Sequence, residues 1–230
     1  MKPIRFVYFD LGNVLLNFSH ERAWWQMAAV AGLTADQVRE TILGVANNSR
    51  EFTTDESRSL DSTGGLVVGS DLQTRYETGQ VDSTLFHQEF SERTKTKSAC
   101  GDLLAAFSDI FKLNQAIMPL ISGLSSVQFP MGILSNTCDC HWQLIVDRYP
   151  IITDYFPVRI LSFEEGAMKP NRRIYEAAIE RAGVPAEQIF FCDDRPENVA
   201  GAITAGIDAV LFESTLGLAA DLRKRGIDIL

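Results

Sequence analysis

Ile4-Arg5-Phe6-Val7-Tyr8-Phe9-Asp10-Leu11-Gly12-Asn13-Val14 is the stretch on which the fold turns. Ile4 to Phe9 is a short apolar run, rich in β-branched and aromatic side chains and bounded by Gly12, the pattern of a strand buried in a parallel sheet. The run stops at Asp10. In open α/β sheets the ligand crevice lies beyond the carboxyl ends of the strands, so a carboxylate there points into a site. Alone, it could equally cap a helix.

Further along, Gly132-Ile133-Leu134 is a second apolar strand that ends in Ser135-Asn136-Thr137. Val158-Arg159-Ile160-Leu161 is a third, followed by a loop carrying Lys169-Pro170, and Ile189-Phe190-Phe191-Cys192 is a fourth, ending in Asp193-Asp194. The tips deliver, in order, a carboxylate, a hydroxyl with an amide, an ammonium and a carboxylate pair. A last strand is expected over Ala209 to Phe212.

Between these strands the pattern predicts helices at His141 to Arg148, Arg172 to Ala182, Glu197 to Ala205 and Leu216 to Arg225. Such alternation implies a parallel sheet covered on both faces, a Rossmann-like α/β core. Residues 18–124 read differently: helices are expected over Glu21 to Leu33, Thr34 to about Ala46, Leu72 to Tyr76, Ser83 to Lys95 and Leu103 to Leu124. Thr34 and Gln37 form a capping box, and Pro119 is expected to break or bend the last helix. Asn47 to Ser70, rich in Ser, Thr, Gly and Asp, reads as a loop-like insertion. The expected organisation is a catalytic core of residues 1–17 and 125–230 with an all-helical cap, 18–124, inserted after the first strand.

A chain of 230 residues, 46% hydrophobic and 22% charged, is long enough to bury a core. Its net charge of −9 argues against nucleic acid or an anionic membrane as partner. There is no apolar run of about 18 residues and no secretory signal pattern, so a cytoplasmic location is expected. Cys100, Cys138, Cys140 and Cys192 lack disulfide-framework spacing. Cys138, Cys140 and His141 make a metal site conceivable, but C-x-C-H without a second pair is poor zinc spacing, and reduced thiols are expected.

The polar tips suit a phosphoryl substrate. Its hydrolysis needs a nucleophile, a cation to neutralise the phosphoryl oxygens, and fixed donors around the transition state. Asp10 can attack and form an aspartyl-phosphate. Asp193 and Asp194 add carboxylates for Mg²⁺, a hard cation that bridges carboxylate and phosphate. Ser135, Asn136 and Lys169 can hold the phosphoryl oxygens.

These residues resemble the motifs of the haloacid dehalogenase-like hydrolase superfamily, in which most members are Mg²⁺-dependent phosphatases. The likeness rests on Phe9-Asp10-Leu11-Gly12-Asn13-Val14, Leu134-Ser135-Asn136-Thr137, Gly166-Ala167-Met168-Lys169-Pro170, and Phe191-Cys192-Asp193-Asp194 with Asn198. The resemblance implies Asp10 as nucleophile, with Ser135 and Lys169 as its catalytic partners. It implies Asp10, Asp193, Asp194 and the Gly12 carbonyl as metal ligands. Asn13, Ser135, Asn136 and Lys169 are assigned to substrate binding, and a small phosphate ester is the expected partner.

One departure stands out. Phosphatases of this family usually carry a second aspartate, the general acid, two positions after the nucleophile; here that position is Gly12. The Asp-Leu-Gly-Asn-Val sequence is similar to sugar-phosphate phosphatases, including glucose-1-phosphate phosphatases, and to the N-terminal domains of soluble epoxide hydrolases. An anomeric phosphate needs less acid assistance because a hemiacetal leaves readily; water or His20 are other proton sources. A metal-independent dehalogenase and a catalytically weak scaffold are the alternatives. Three facing carboxylates, which repel one another without a cation, speak against both.

Overall fold

The computed structural model describes residues 2–44 and 71–228. The strands are β1 (Phe6–Phe9), β2 (Leu16–Asn17), β3 (Lys112–Leu113), β4 (Met131–Ser135), β5 (Val158–Leu161), β6 (Ile189–Asp193) and β7 (Asp208–Leu211). The helices before β4 are α1 (His20–Ala31), α2 (Ala35–Leu43), α3 (Leu72–Glu77), α4 (Ser83–Thr94), α5 (Cys100–Ser108) and α6 (Met118–Ser126). After it come α7 (Asp139–Arg148), α8 (Pro150–Tyr155), α9 (Ser162–Glu165), α10 (Arg172–Ala182), α11 (Pro196–Thr204) and α12 (Thr215–Lys224). The expected α/β class and parallel sheet are observed.

The main sheet runs β5-β4-β1-β6-β7, and every neighbouring pair is parallel. Parallel strands need right-handed crossovers, so connections leaving β1 in opposite directions along the sheet place their helices on opposite faces. β1 feeds β4 and then β5 on one side, whereas β6 feeds β7 on the other. The strand order therefore reverses between β1 and β6, and the crevice at their carboxyl ends is the natural ligand site of such a sheet.

The pleat makes this double cover possible. Val7 and Phe9 pack into the layer that holds Ile145 and Ile152, while Phe6 and Tyr8 pack against Ile174, Tyr175 and Ala178. Each such buried side chain contributes about 1.5–3 kcal/mol relative to exposure. At Gly132 a Cβ would meet the Tyr8 ring at 2.7 Å and the Val158 carbonyl at 2.9 Å, so only glycine lets β4 lie this close. Tyr8 uses its hydroxyl to donate to the Ala178 carbonyl at 2.9 Å, tying β1 to α10.

α1 begins at Ser19, whose side chain accepts from Arg22 N, and stops at Gly32 in the left-handed region. The Thr34–Gln37 capping box opens α2 as expected. Gly44, with φ 68°, ends it early, and the rest of the expected helix and the Asn47–Ser70 insertion lie outside the described residues. The expected helix over Leu103 to Leu124 is corrected: α5 ends at Ser108, and Pro119 sits in the first turn of a separate helix, α6. Proline's missing N–H costs nothing there, so it opens a helix where it would break one internally. Between them β3 pairs antiparallel with β2, joining the two ends of the stretch that holds α1 to α5. Among the described residues, no helix is long and apolar enough to cross a membrane.

Candidate active site

Asp10 follows β1 directly and is 6% exposed, its backbone N–H donating to the Cys192 carbonyl of the neighbouring strand at 3.0 Å. Two donors meet its side chain, and both go to Oδ1: Leu11 N at 2.7 Å and Lys169 Nζ at 2.7 Å. Burial, reinforced by the negative charge of Asp193 and Asp194, pushes the carboxyl up to about 7 despite the opposing pull of Lys169. Without a further cation, the pocket resists ionisation of this group.

Lys169 is 1% exposed and its ammonium is fully used: Asp10 Oδ1 at 2.7 Å, Asp193 Oδ2 at 2.5 Å and the Leu134 carbonyl at 2.9 Å. Burial alone would lower its pKa, but Asp10 and Asp193 together outweigh that and raise it. The ammonium also stands 5.2 Å over the Phe191 ring. Its backbone is held by Asn136, which accepts Lys169 N at 2.7 Å and donates to the Lys169 carbonyl at 3.0 Å. The amide of Asn136 thus braces the lysine loop, a different employment from the substrate contact expected of it.

Asp193, at the end of β6, is wholly buried and saturated. Oδ1 accepts Arg195 N and Asn198 Nδ2, both at 2.9 Å, and Oδ2 accepts Lys169 Nζ and Asn198 Nδ2. Asp194 is half-buried and accepts Asn13 Nδ2 at 2.9 Å. Asn13, exposed and in the left-handed region with φ 54°, therefore reaches the second carboxylate from the β1 loop. Oxygens of Asp10, Asp193 and Asp194 lie within 4.8 Å of one another. Ser135, buried at the tip of β4, completes the set.

Every sequence-predicted site residue thus lies on the tips and loops of β1, β4 and β6 or on the loop before α10. Asn198, part of the fourth motif but given no task there, orients Asp193 through both carboxylate oxygens. The Leu11 amide and Leu134 carbonyl also hold the site, and backbone groups of this kind leave no mark on residue type. Trp25 is 68% exposed, whereas half-buried Trp24 packs against the core. Arg195 caps α11, with Pro196 in its first turn, and its side chain pairs with Glu197.

The sequence pattern that defines haloacid dehalogenase-like hydrolases matches residues 4–206. The chain belongs to this family of hydrolases. Among its relatives is a pyrimidine 5′-nucleotidase of Escherichia coli, 29% identical over 152 residues, or 61% of this chain and 65% of that protein. Another is a glyceraldehyde 3-phosphate phosphatase of Methanothermobacter thermautotrophicus, 31% identical over 110 residues, or 46% of this chain and 48% of that one. A chloroplast flavin mononucleotide hydrolase of Arabidopsis thaliana is 32% identical over 88 residues, 38% of this chain and 36% of its own. The matched segments span from about a third to just under two thirds of these relatives' lengths.

In structure, the chain is similar to a family enzyme from Bacteroides thetaiotaomicron crystallised with magnesium and inorganic phosphate. Their TM-score is 0.72 at 23% identity, covering 90% of this chain and 93% of that one. A hydrolase of the family from Porphyromonas gingivalis gives TM-score 0.72 at 20% identity over 96% and 98% of the two chains. At these identities the likeness is one of fold.

The family's usual second aspartate has no counterpart, and the structure shows what fills its place. A Cβ on Gly12 would lie 2.7 Å from Cε1 of Phe18. The ring of Phe18 stands edge-on to His20 with centroids 4.9 Å apart, and His20 Nδ1 is buried with no hydrogen-bond partner. Burial and then the charge of Arg195 lower the His20 pKa, keeping the imidazole neutral. Neither Phe18 nor its blocking position is visible in a motif.

Proposed function

We propose that this hydrolase is a magnesium-dependent phosphatase acting on a small phosphorylated metabolite, a sugar phosphate being the favoured class. The carrying observation is the convergence of Asp10, Asp193 and Asp194 within 4.8 Å around one buried ammonium. Three carboxylates against one lysine leave negative charge uncompensated, and burial, with the charges of Asp193 and Asp194 added to it, pushes Asp10 up to about 7. A hard divalent cation with oxygen preference fits that donor set. Asp10, Asp194 and the Gly12 carbonyl would hold it, with Asp193, already saturated, fixing the geometry behind them. When bound, Mg²⁺ supplies charge neutralisation for the carboxylates and the phosphoryl oxygens.

Asp10 then attacks phosphorus in line, the P–O bond to the leaving group breaks, and the phosphoryl group rests on the Asp10 carboxylate. Water attacks phosphorus in the second step, releasing inorganic phosphate and restoring Asp10. Ser135 presents its hydroxyl to the phosphoryl oxygens and Lys169 its positive charge, while Asn136 keeps the lysine loop in register. Residues 18–124 are proposed as the cap over this crevice, the β2–β3 pair being where the chain leaves and returns. With Gly12 unable to carry a proton, substrates with easily departing groups are favoured, and an anomeric sugar phosphate is such a substrate. The relatives named for nucleotide, flavin mononucleotide and triose phosphate hydrolysis support a small phosphate ester in general.

The test is phosphate release from a panel of sugar phosphates, nucleotides and aryl phosphates with Mg²⁺ or with a chelator. Release that requires Mg²⁺ and is strongest among sugar phosphates supports the proposal. Undiminished phosphate release in the chelator, or halide release from a 2-haloacid there, overturns it.

A further inference from the structure

Where β4 has ended and α7 begins, Cys138, Cys140 and His141 bring two sulfurs and an imidazole nitrogen within 4.8 Å of one another. The sulfurs are 3.7 Å apart. A disulfide requires about 2.05 Å, whereas two thiolates at about 2.3 Å from a tetrahedral zinc stand about 3.8 Å from each other. The pair already has ligand spacing.

One ring nitrogen of His141 is already committed. Its Nε2 lies 3.2 Å from the Phe107 carbonyl, an acceptor only, so Nε2 carries the proton and Nδ1 keeps its lone pair. Metal-bound histidines almost always donate their other N–H to a carbonyl or carboxylate in this way. Burial pushes His141 down to about 3, so the ring is neutral. The two thiols share one hydrogen bond that moves them in opposite directions: Cys138 is raised, chiefly by burial, while Cys140 is held below its usual value against its own burial. Asp139 and Glu77 add negative charge beside the two cysteines.

The cluster also has an entrance and room for one more ligand. Cys140 and Asp139 line a groove of about 630 Å³ between α5 and α7. Ser108, 3% exposed, lines the same groove with its hydroxyl beside the Cys140 thiol.

We propose that Cys138, Cys140 and His141 form a second metal site, for one thiophilic cation of the zinc class, with its fourth position open to the groove. On binding, the two thiols release their protons to solvent as two sulfur–metal bonds form, and no electron changes hands. The site is separate from the carboxylate cluster in ligand chemistry, since sulfur selects zinc over magnesium. It does not depend on the chain being a phosphatase.

The experiment uses Co²⁺ as the probe on the reduced full chain, with excess Mg²⁺ present to occupy hard oxygen sites. Expected are one Co²⁺ per chain, a near-ultraviolet thiolate-to-cobalt charge-transfer band, and its loss on adding one equivalent of Zn²⁺. The band should vanish in Cys140→Ser and persist in Asp194→Ala. Should Cys140→Ser fail to fold, alkylation of the wild type gives the same answer: Zn²⁺ should protect Cys140 and leave Cys100 reactive. Absence of the band, its survival in a folded Cys140→Ser, or equal alkylation of Cys140 with and without Zn²⁺ overturns the proposal.

Discussion

Lys169 Nζ donates to Asp10 Oδ1 at 2.7 Å, and the Leu11 amide donates to the same oxygen at 2.7 Å. The carboxylate is therefore fixed through one oxygen, while Oδ2 takes no donor from the described residues. A nucleophile needs this combination of a set orientation and an uncommitted lone pair. The same ammonium reaches Asp193 at 2.5 Å, so a single lysine holds the tips of β1 and β6 together across the point where the strand order reverses.

Lys169→Met should reveal that dependence. It leaves two buried carboxylates without their cation, and breaking such a pair costs about 3–5 kcal/mol. Thermal unfolding in chelator should show a large fall in Tm relative to wild type, with part of it restored by Mg²⁺. An unchanged Tm in chelator would mean that the carboxylates are neutral or otherwise compensated in the fold.

Asp194→Ala should remove the response to metal. In the wild type, Mg²⁺ at about 100 times its Kd should stabilise the fold by about 2.7 kcal/mol, read as a rise in Tm. The variant should show little of that rise and a sharp drop in phosphate release. In chelator it should be at least as stable as wild type, because one of three mutually repelling charges is gone. A full Mg²⁺-induced shift in the variant would place the cation elsewhere.

On the proposed mechanism, Gly12 and Phe18 set the response to the leaving group. The wild-type kcat/KM should fall steeply as leaving-group pKa rises across a series of phosphate esters, because no aspartate stands ready to protonate the departing oxygen. Gly12→Asp alone should not repair this, since the new Cβ meets the Phe18 ring at 2.7 Å. Gly12→Asp with Phe18→Ala should recover alkyl phosphate hydrolysis by about tenfold or more while changing aryl phosphates less. A flat series in the wild type would show that an acid is already present, and His20→Asn would then be expected to steepen it.

Glu89 sets a pH dependence in the helical segment. It accepts both guanidinium nitrogens of Arg75 at 2.7 Å and one of Arg93 at 2.9 Å, and hydrogen bonding from Arg75 holds its carboxyl below the usual range. A depressed carboxyl contributes stability that is present above its unfolded pKa of about 4.5 and lost as pH falls through the folded value. Glu89→Gln should therefore lower Tm at pH 7 by an amount worth about 1 kcal/mol, and the gap to wild type should narrow as pH falls below about 4.5. A gap independent of pH would assign the loss to packing.

The strands and their polar tips were legible because strands covered on both faces read as continuous apolar runs, and those of β1, β4 and β6 stop abruptly at a residue with chemistry. The boundaries of α10 could be read from its periodicity and the flanking Asn171 and Gly183. What escaped reading depends on contacts between distant positions. Asn136 braces a loop 33 residues away, a pairing invisible in either motif. Phe18 blocks Gly12 only because the chain doubles back through β2, which at two residues is too short to carry any periodicity. Cys138, Cys140 and His141 read as poor metal spacing because their convergence depends on the turn into α7, which residue spacing does not report.

The most direct measurement is the state of Asp10 during turnover. The enzyme should be acid-quenched while hydrolysing an aryl phosphate with Mg²⁺ and then digested, and the peptide containing Asp10 weighed before and after hydroxylamine. One phosphoryl group on that peptide, removed by hydroxylamine and absent from Asp10→Asn, whose turnover falls by at least about 1,000-fold, is the expected result. An unmodified peptide together with Asp10→Asn turnover within about tenfold of wild type would contradict the role of Asp10 as nucleophile.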